Sequence, residues 1–273
     1  MTTPLQQPTA VPAAGRPRRR PAPVRVTVRR VERLADRMVR VTLTGPEMHR
    51  FAWPGAGSHL KLFLPEPGAV DLELPEPDPD GLVTFDRPLT SRTYTPRRFD
   101  PDSGELDLDF VLHGHGPASR WAELVEPGHR AAVSIPRASY QPDQDAGALV
   151  LAGDESALPA IATILAARPA RLPVTVAVEI RDGRDELPLG VDVTWLHRGD
   201  AEPGASLEAW LADLVPPAGA RVWVATEAHA VRRIRALLLD RHGFAREHVV
   251  TRGYWRHDGA NHPDHDYGED DLA

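Results

Sequence analysis

The side-chain periodicity of this chain changes once, and the change falls at QPDQDAG, residues 141–147. Before it, the runs VRVTVRRVERL, MVRVTLTG, HLKLFLP, LVTFDRP, RTYTPRRFD, LDLDFVLHG and RAAVSI alternate apolar with polar residues, the period of a half-buried strand. Gly, Pro and Asp separate them. Seven such runs, with one helical interruption over Pro117 to Leu124, predict a small barrel or sandwich whose regular structure begins at Val24. After the change, continuous apolar runs (ALVLAG, PVTVAVEI, DVTWLHRG, RVWVATE) are interleaved with helical ones. DESALPAIATILAARPA reads as a turn into an amphipathic helix, SLEAWLADLV as a second, and HAVRRIRALLLDRHG as a third that Gly243 ends. Strands alternating with helices predict a parallel, doubly wound sheet.

A length of 273 residues suits two domains that each bury a core. The expected division is a Pro- and Ala-rich arm without fixed structure over 1–23, a β domain over 24–140, an α/β domain over 148–257, and an acidic tail over 258–273. Residues 65–80, rich in Pro and acids, read as a long loop, because proline cannot sit inside a sheet. The tail, with His257 just before it and His262 and His265 within it, reads as a solvated extension.

Composition narrows the chemistry. A formal charge of −7 argues against nucleic-acid binding, so any basic site must be local. There is no cysteine, which excludes disulfides, thiolate-held zinc and cysteine-ligated iron–sulfur clusters. A redox role would therefore need a bound organic cofactor. No run has the length of a membrane-spanning helix, so a cytoplasmic protein without stable membrane association is expected. Of 32 basic side chains only Lys61 is lysine.

Three segments could carry chemistry. SRTYTPRR places Arg92, Tyr94 and Pro96 on one face of an extended chain and Thr93, Thr95 and Arg97 on the other. Guanidinium, ring and hydroxyls together suit a phosphate-bearing aromatic ligand, and equally an exposed, well-solvated strand. DFVLHGHGPASRW runs from a strand through glycines into a helix opening at Pro117-Ala118-Ser119, a natural anion site. His113 and His115 share one side of that turn, but no third ligand follows at zinc-like spacing, so no metal site is expected. LVLAGDESALPAI is a strand–turn–helix at the carboxyl edge of the first parallel strand, where Asp154 and Ser156 can cap the helix and Pro159 is tolerated. It lacks GxGxxG and does not by itself prove a dinucleotide.

Taken in order, RxYT, DFVLHG-x-GPASRW, LAGDESALPAI, WVATEA and GYWR resemble the siderophore-interacting proteins, flavin-dependent ferric-siderophore reductases of the ferredoxin-reductase-like superfamily, over residues 24 to 257. The resemblance implies an antiparallel Greek-key β-barrel that binds FAD, followed by a Rossmann-like doubly wound domain that binds NADPH or NADH. It implies FAD contacts from Arg92, Thr93, Tyr94, Thr95, Asp109, Phe110, Val111, His113, Gly116, Ala118 and Ser119, with Asp154 and Ser156 at the nucleotide edge. Lys61, Arg137 and Arg252 or Arg256 resemble the family's basic substrate triad. WVATEA departs from the pattern, since the family often has glycine where Thr226 stands.

What the resemblance implies is that electrons pass from NAD(P)H, or from ferredoxin as an alternative donor, through FAD to a ferric siderophore, with no catalytic side chain of the protein's own. Iron would then leave as Fe(II) for intracellular assimilation, and a monomer is expected. Two other readings stay open: a generic NAD(P)H–flavin reductase or electron-transfer partner, and a non-catalytic siderophore-binding protein.

Overall fold

The structure is a computed structural model that describes residues 20–85, 88–138, 140–257 and 265–266. The arm expected over 1–23 therefore lies, up to residue 19, outside the described residues, as does the acidic tail apart from 265–266. The first half of the chain forms strands β1 (Arg20–Pro21), β2 (Val24–Ala35), β3 (Met38–Thr44), β4 (Leu60–Phe63), β5 (Leu82–Val83), β6 (Ser91–Tyr94), β7 (Pro96–Asp100) and β8 (Glu105–Val111). Helix α1 (Pro117–Leu124) and strand β9 (Arg130–Val133) follow.

Among the described residues regular structure already includes Arg20 and Pro21, before Val24. Arg20 pairs with Val83 and Pro21 with Leu82, so β1 and β5 make a two-stranded ladder within a small unit of their own. LVTFDRP, expected to be a full strand, keeps only those two residues in a ladder.

The other seven strands form one antiparallel sheet in the order β6-β4-β9-β2-β3-β8-β7. Strands β6 and β7 are consecutive in the chain yet occupy the two edges, so one segment closes the sheet on itself. This corrects the expectation that RTYTPRRFD is one strand. It breaks at Thr95, and Thr95 and Pro96 are both buried, so the alternation of faces ends there.

On β8, Leu106, Leu108 and Phe110 enter the core, while Glu105, Asp107 and Asp109 face the other way and are still buried. Arginines account for that. Arg29 and Arg30 reach Glu105 at 2.7 and 3.1 Å, Arg98 reaches Asp107 at 3.3 Å, and Arg40 clamps both oxygens of Asp109 at 2.7 and 2.8 Å. Buried carboxylates persist only when paired and hydrogen-bonded in this way.

The second half contains β10 (Ala148–Asp154), α2 (Leu158–Ala167), β11 (Val174–Ile180), β12 (Thr194–His197), α3 (Ala205–Ala212), β13 (Ala220–Glu227), α4 (Ala228–Ala236), β14 (Val249–Trp255) and β15 (His265–Asp266). The sheet order is β12-β11-β10-β13-β14-β15, parallel except for β15. The order reverses between β10 and β13, whose carboxyl ends mark the crevice of a doubly wound sheet.

Helix α2 is not amphipathic as expected: Leu158 through Leu165 are all buried. A helix buried on every side needs cover on two faces. It packs on the parallel sheet through Ile161 and Ile164 and also meets β7 of the barrel sheet.

A polar clamp reinforces that junction. In the β2–β3 turn, Arg37 donates from its backbone to Asp185 at 2.9 Å and from its guanidinium to the same carboxylate at 2.9 and 2.6 Å. It also reaches Glu155 at 3.3 Å, and Glu155 in turn accepts from Arg198 at 2.9 and 3.1 Å. Asp185 and Glu155 are both buried, and burial together with the neighbouring Asp154 holds the Glu155 carboxyl above its ordinary value.

Candidate functional site

The site begins at the barrel seam. Tyr94 is half-buried with its ring 4.4 Å from that of Phe110, which lies 5.6 Å from Trp121 on α1. Burial pushes the Tyr94 phenol well above its ordinary value, against the opposing charge of Arg92, so it stays a neutral hydroxyl. Arg92 donates to the Ser91 carbonyl at 2.8 Å, which orients its guanidinium along the strand edge.

After β8 the chain turns through Gly114 and Gly116, both at positive φ (76° and 77°), into α1. Glycine is the residue that takes this backbone without strain. The Ser119 hydroxyl accepts from His113 N at 3.0 Å and donates to Glu123 at 3.3 Å, so its side chain shapes the turn. The His113 and His115 rings lie 4.3 Å apart, and burial plus the His115 charge lower the His113 pKa from 6.5. Among the described residues no side chain caps the start of α1, its N-cap is Gly116, and its first turn has no acid. The backbone donors of Ala118 and Ser119 therefore open a helix N-terminus suited to an anion.

In the parallel sheet carboxylates take up the starts of α3 and α4, while Asp154, expected to cap the helix after β10, caps the short turn 155–157 and leaves the start of α2 at Ala157 without a side-chain cap. Asp154 accepts from Ser156 N at 2.9 Å and from its hydroxyl at 2.5 Å, and its other oxygen accepts from Thr226 at 2.9 Å and Trp255 at 2.7 Å. Glu179, at the end of β11, accepts from Gly204 N, Ser206 N and Leu207 N at 2.7, 3.0 and 3.1 Å and so caps α3. Glu227 caps α4 through His229 N and Ala230 N at 2.6 and 2.9 Å. Each carboxylate takes the donors that a phosphate would otherwise use.

These contacts sort the residues singled out from the sequence. Arg92, Thr93, Tyr94 and Thr95 lie on the seam, with Phe110 behind the ring, and Val111, His113, Gly116, Ala118 and Ser119 follow at the open turn. Asp109 is engaged by Arg40, and Asp154 and Ser156 by each other, Thr226 and Trp255.

Lys61 and Arg137 are exposed and held close together: Ser134 N donates to the Lys61 carbonyl at 2.8 Å, and His59 and Arg137 exchange backbone hydrogen bonds at 3.0 and 2.8 Å. Arg252 lies on β14 and Arg256 just after it, in the other sheet. Sequence reasoning missed Glu179, Glu227 and Trp255 as organisers of the strand edge, because their partners are distant in the chain. Gly153 was legible in the motif but not its reason: a Cβ there would meet Ala157 Cβ at 2.5 Å and Ala225 O at 2.6 Å, so strand and turn approach too closely for any side chain.

An aromatic platform beside an open helix N-terminus, with an arginine on the same seam, fits a flavin carrying a pyrophosphate. Comparison with known proteins agrees. Residues 27–140 match the family profile described as "Siderophore-interacting FAD-binding domain" and residues 146–258 that described as "Siderophore-interacting protein". The chain is 31% identical over 231 residues to ferric vibriobactin reductase ViuB of Vibrio cholerae serotype O1, covering 82% of this chain and 85% of that protein. It is 30% identical over 242 residues to the NADPH-dependent ferric-chelate reductase of Escherichia coli, covering 84% and 91%. Among solved structures, a siderophore utilization protein from T. fusca superposes with a TM-score of 0.75 at 34% identity, covering 90% of this chain and 98% of that one. With both profiles matched in sequence and a barrel-type sheet followed by a doubly wound sheet, the chain belongs to the siderophore-interacting protein family.

Proposed function

We propose that the chain is an FAD-dependent ferric-siderophore reductase, with residues 24–140 carrying the flavin and residues 148–257 receiving the electron donor. The observation that carries this reading is the uncapped N-terminus of α1, reached through Gly114 and Gly116 beside the Tyr94–Phe110 pair, whereas Glu179 and Glu227 fill the starts of α3 and α4. When bound, FAD supplies the conversion of a two-electron hydride donor into single-electron delivery.

The protein's own groups bind and orient. Tyr94, backed by Phe110, offers a flat apolar surface to the ring system, and its neutral phenol adds no charge there. Arg92 and the donors of Ala118 and Ser119 take the pyrophosphate, while Thr93 and Thr95 are hydroxyls available to the polar edge. Gly116 lets the backbone approach without a side chain between.

Lys61 and Arg137 form the basic surface for a ferric siderophore, commonly bulky and anionic, with Arg252 and Arg256 contributing from the second sheet. Reduction lowers the charge of the iron and weakens its hold on hard oxygen donors, so the metal leaves as Fe(II). No nucleophile or general base is needed. Among the described residues no helix is long and apolar enough to cross a membrane, and the reading places the enzyme in the cytoplasm as a monomer.

The donor is NADPH or NADH. Because Glu179 and Glu227 occupy the starts of α3 and α4 and Asp154 the turn before α2, its phosphates fall to arginine side chains such as Arg181, just beyond β11. A ferredoxin, which needs no phosphate site, is the alternative donor that this capping favours. Fe(II) trapping by a colour-forming chelator tests the function: FAD-loaded protein with ferric siderophore and NADPH, NADH or reduced ferredoxin should release Fe(II) with at least one donor. Release no faster than with free FAD would refute it.

A further inference from the structure

The arginine after Pro96 is set apart from the barrel ladder. Strand β7 pairs Pro96 with Leu108 and Arg98 with Asp107, so Arg97 is the extra residue of a β-bulge. Bulges re-aim a side chain out of its ladder. Arg97 lines a cavity of about 230 Å³ together with Arg168 at the end of α2 and with Leu165, Pro188, Leu189 and Val191.

Among the described residues neither cation has a close counter-charge of its own. The nearest acid to Arg97 is Asp109, 4.0 Å from its Nε, and both oxygens of that carboxylate are already held by Arg40 at 2.7 and 2.8 Å. Arg168 donates one nitrogen to Leu165 O at 2.8 Å, while its Nε is buried with no hydrogen-bond partner among the described residues. Among the described residues no carboxylate lines the cavity. Burial lowers the Arg97 pKa, the mark of a cation that has lost water without gaining a full counter-charge.

Two guanidiniums over apolar walls call for an oxyanion attached to a compact apolar body, and the volume limits that body to small-molecule size. We propose that this cavity, between β7, α2 and the 188–191 loop, is a binding site for a small carboxylate carried on an aromatic or branched apolar group. A bare phosphate would satisfy the arginines and leave the apolar wall unused. The lining shares no residue with those assigned to the flavin, and the proposal stands independently of the reductase reading.

Isothermal titration calorimetry of the FAD-loaded protein with benzoate tests it, since the loaded flavin already occupies the α1 anion site. Saturable binding is expected, weakened about tenfold or more by Arg97→Met and by Arg168→Met, with FAD content unchanged. Asp109 keeps its Arg40 clamp in the first variant, so folding is preserved. As a readout that needs no variant, methyl resonances of Leu165, Leu189 and Val191 should shift on benzoate addition. Three results would each overturn the proposal: no saturable binding, binding that survives both substitutions, or inorganic phosphate binding more tightly than benzoate.

Discussion

Lys61 stands opposite Thr93 in the antiparallel β4–β6 ladder. Directly paired residues share a face of the sheet, so the single lysine of the chain lies on the same face as a hydroxyl of the proposed flavin seam. Leu60 and Leu62 on either side of it are buried, which turns Lys61 outward. Tyr94 and Arg92 pair with Leu60 and Leu62 and so lie on the opposite face, which leaves Lys61 a solvent-facing cation on the strand beside the seam, open to an anionic substrate.

Replacing Lys61 with Ala should raise the KM for an anionic ferric chelate roughly three- to tenfold while leaving flavin reduction by NADPH unchanged. Lys61→Arg should restore most of the loss. The difference between wild type and Lys61→Ala should shrink as salt screens the exposed charge. Steady-state kinetics at two ionic strengths reads both effects.

Asp154 ties the ends of three strands, accepting from Thr226 on β13 and Trp255 on β14 while capping its own turn. Asp154→Ala leaves those donors without an acceptor and should cost about 2–4 kcal/mol in urea unfolding. Asp154→Asn keeps the shape and part of the bonding and should cost less. This network also explains Thr226 where glycine was expected: its hydroxyl is a strut of the crevice.

The Arg37 clamp predicts a larger penalty. Arg37→Ala strands the buried Asp185 carboxylate without its cation and should destabilise by about 3–5 kcal/mol. Adding Asp185→Asn to that variant should recover part of the loss, because the orphaned charge is gone. Denaturant midpoints of the two single variants and the double variant give the coupling directly.

His113 gives a pH prediction. Its pKa lies below 6.5 in the folded protein through burial and the His115 charge. Folding thus favours the neutral imidazole: this contribution to stability is present above 6.5 and is lost as pH falls through the lowered folded value. His115→Gln should move the His113 titration up but still leave it below 6.5, since burial remains. Imidazole proton shifts followed against pH would check it.

Much of this was legible in the sequence. Alternation located the barrel strands, because one face of each must enter the core, and the strand–helix order located the doubly wound sheet. The Thr95 break was hidden, since residues on both sides of it have strand-like composition and only closure of the sheet decides where it bends. The burial of α2 on all sides was hidden too, as it depends on the barrel packing over the helix. The glycine turn into α1 was readable because its glycines and the helix start are contiguous in the chain. Glu179 and Glu227 were not, because an acid at the end of a strand becomes a helix cap only once the crossover has brought a helix start beside it.

The central claim is that electrons reach ferric siderophore through flavin held on this chain, and anaerobic stopped-flow spectroscopy tests it most directly. FAD-loaded protein is first reduced with NADPH, NADH or reduced ferredoxin and then mixed with a panel of ferric siderophores while the return of oxidised flavin absorbance is followed. The account predicts that at least one chelate accelerates reoxidation, and that the acceleration weakens in Lys61→Ala. Reoxidation that no ferric chelate accelerates would contradict it.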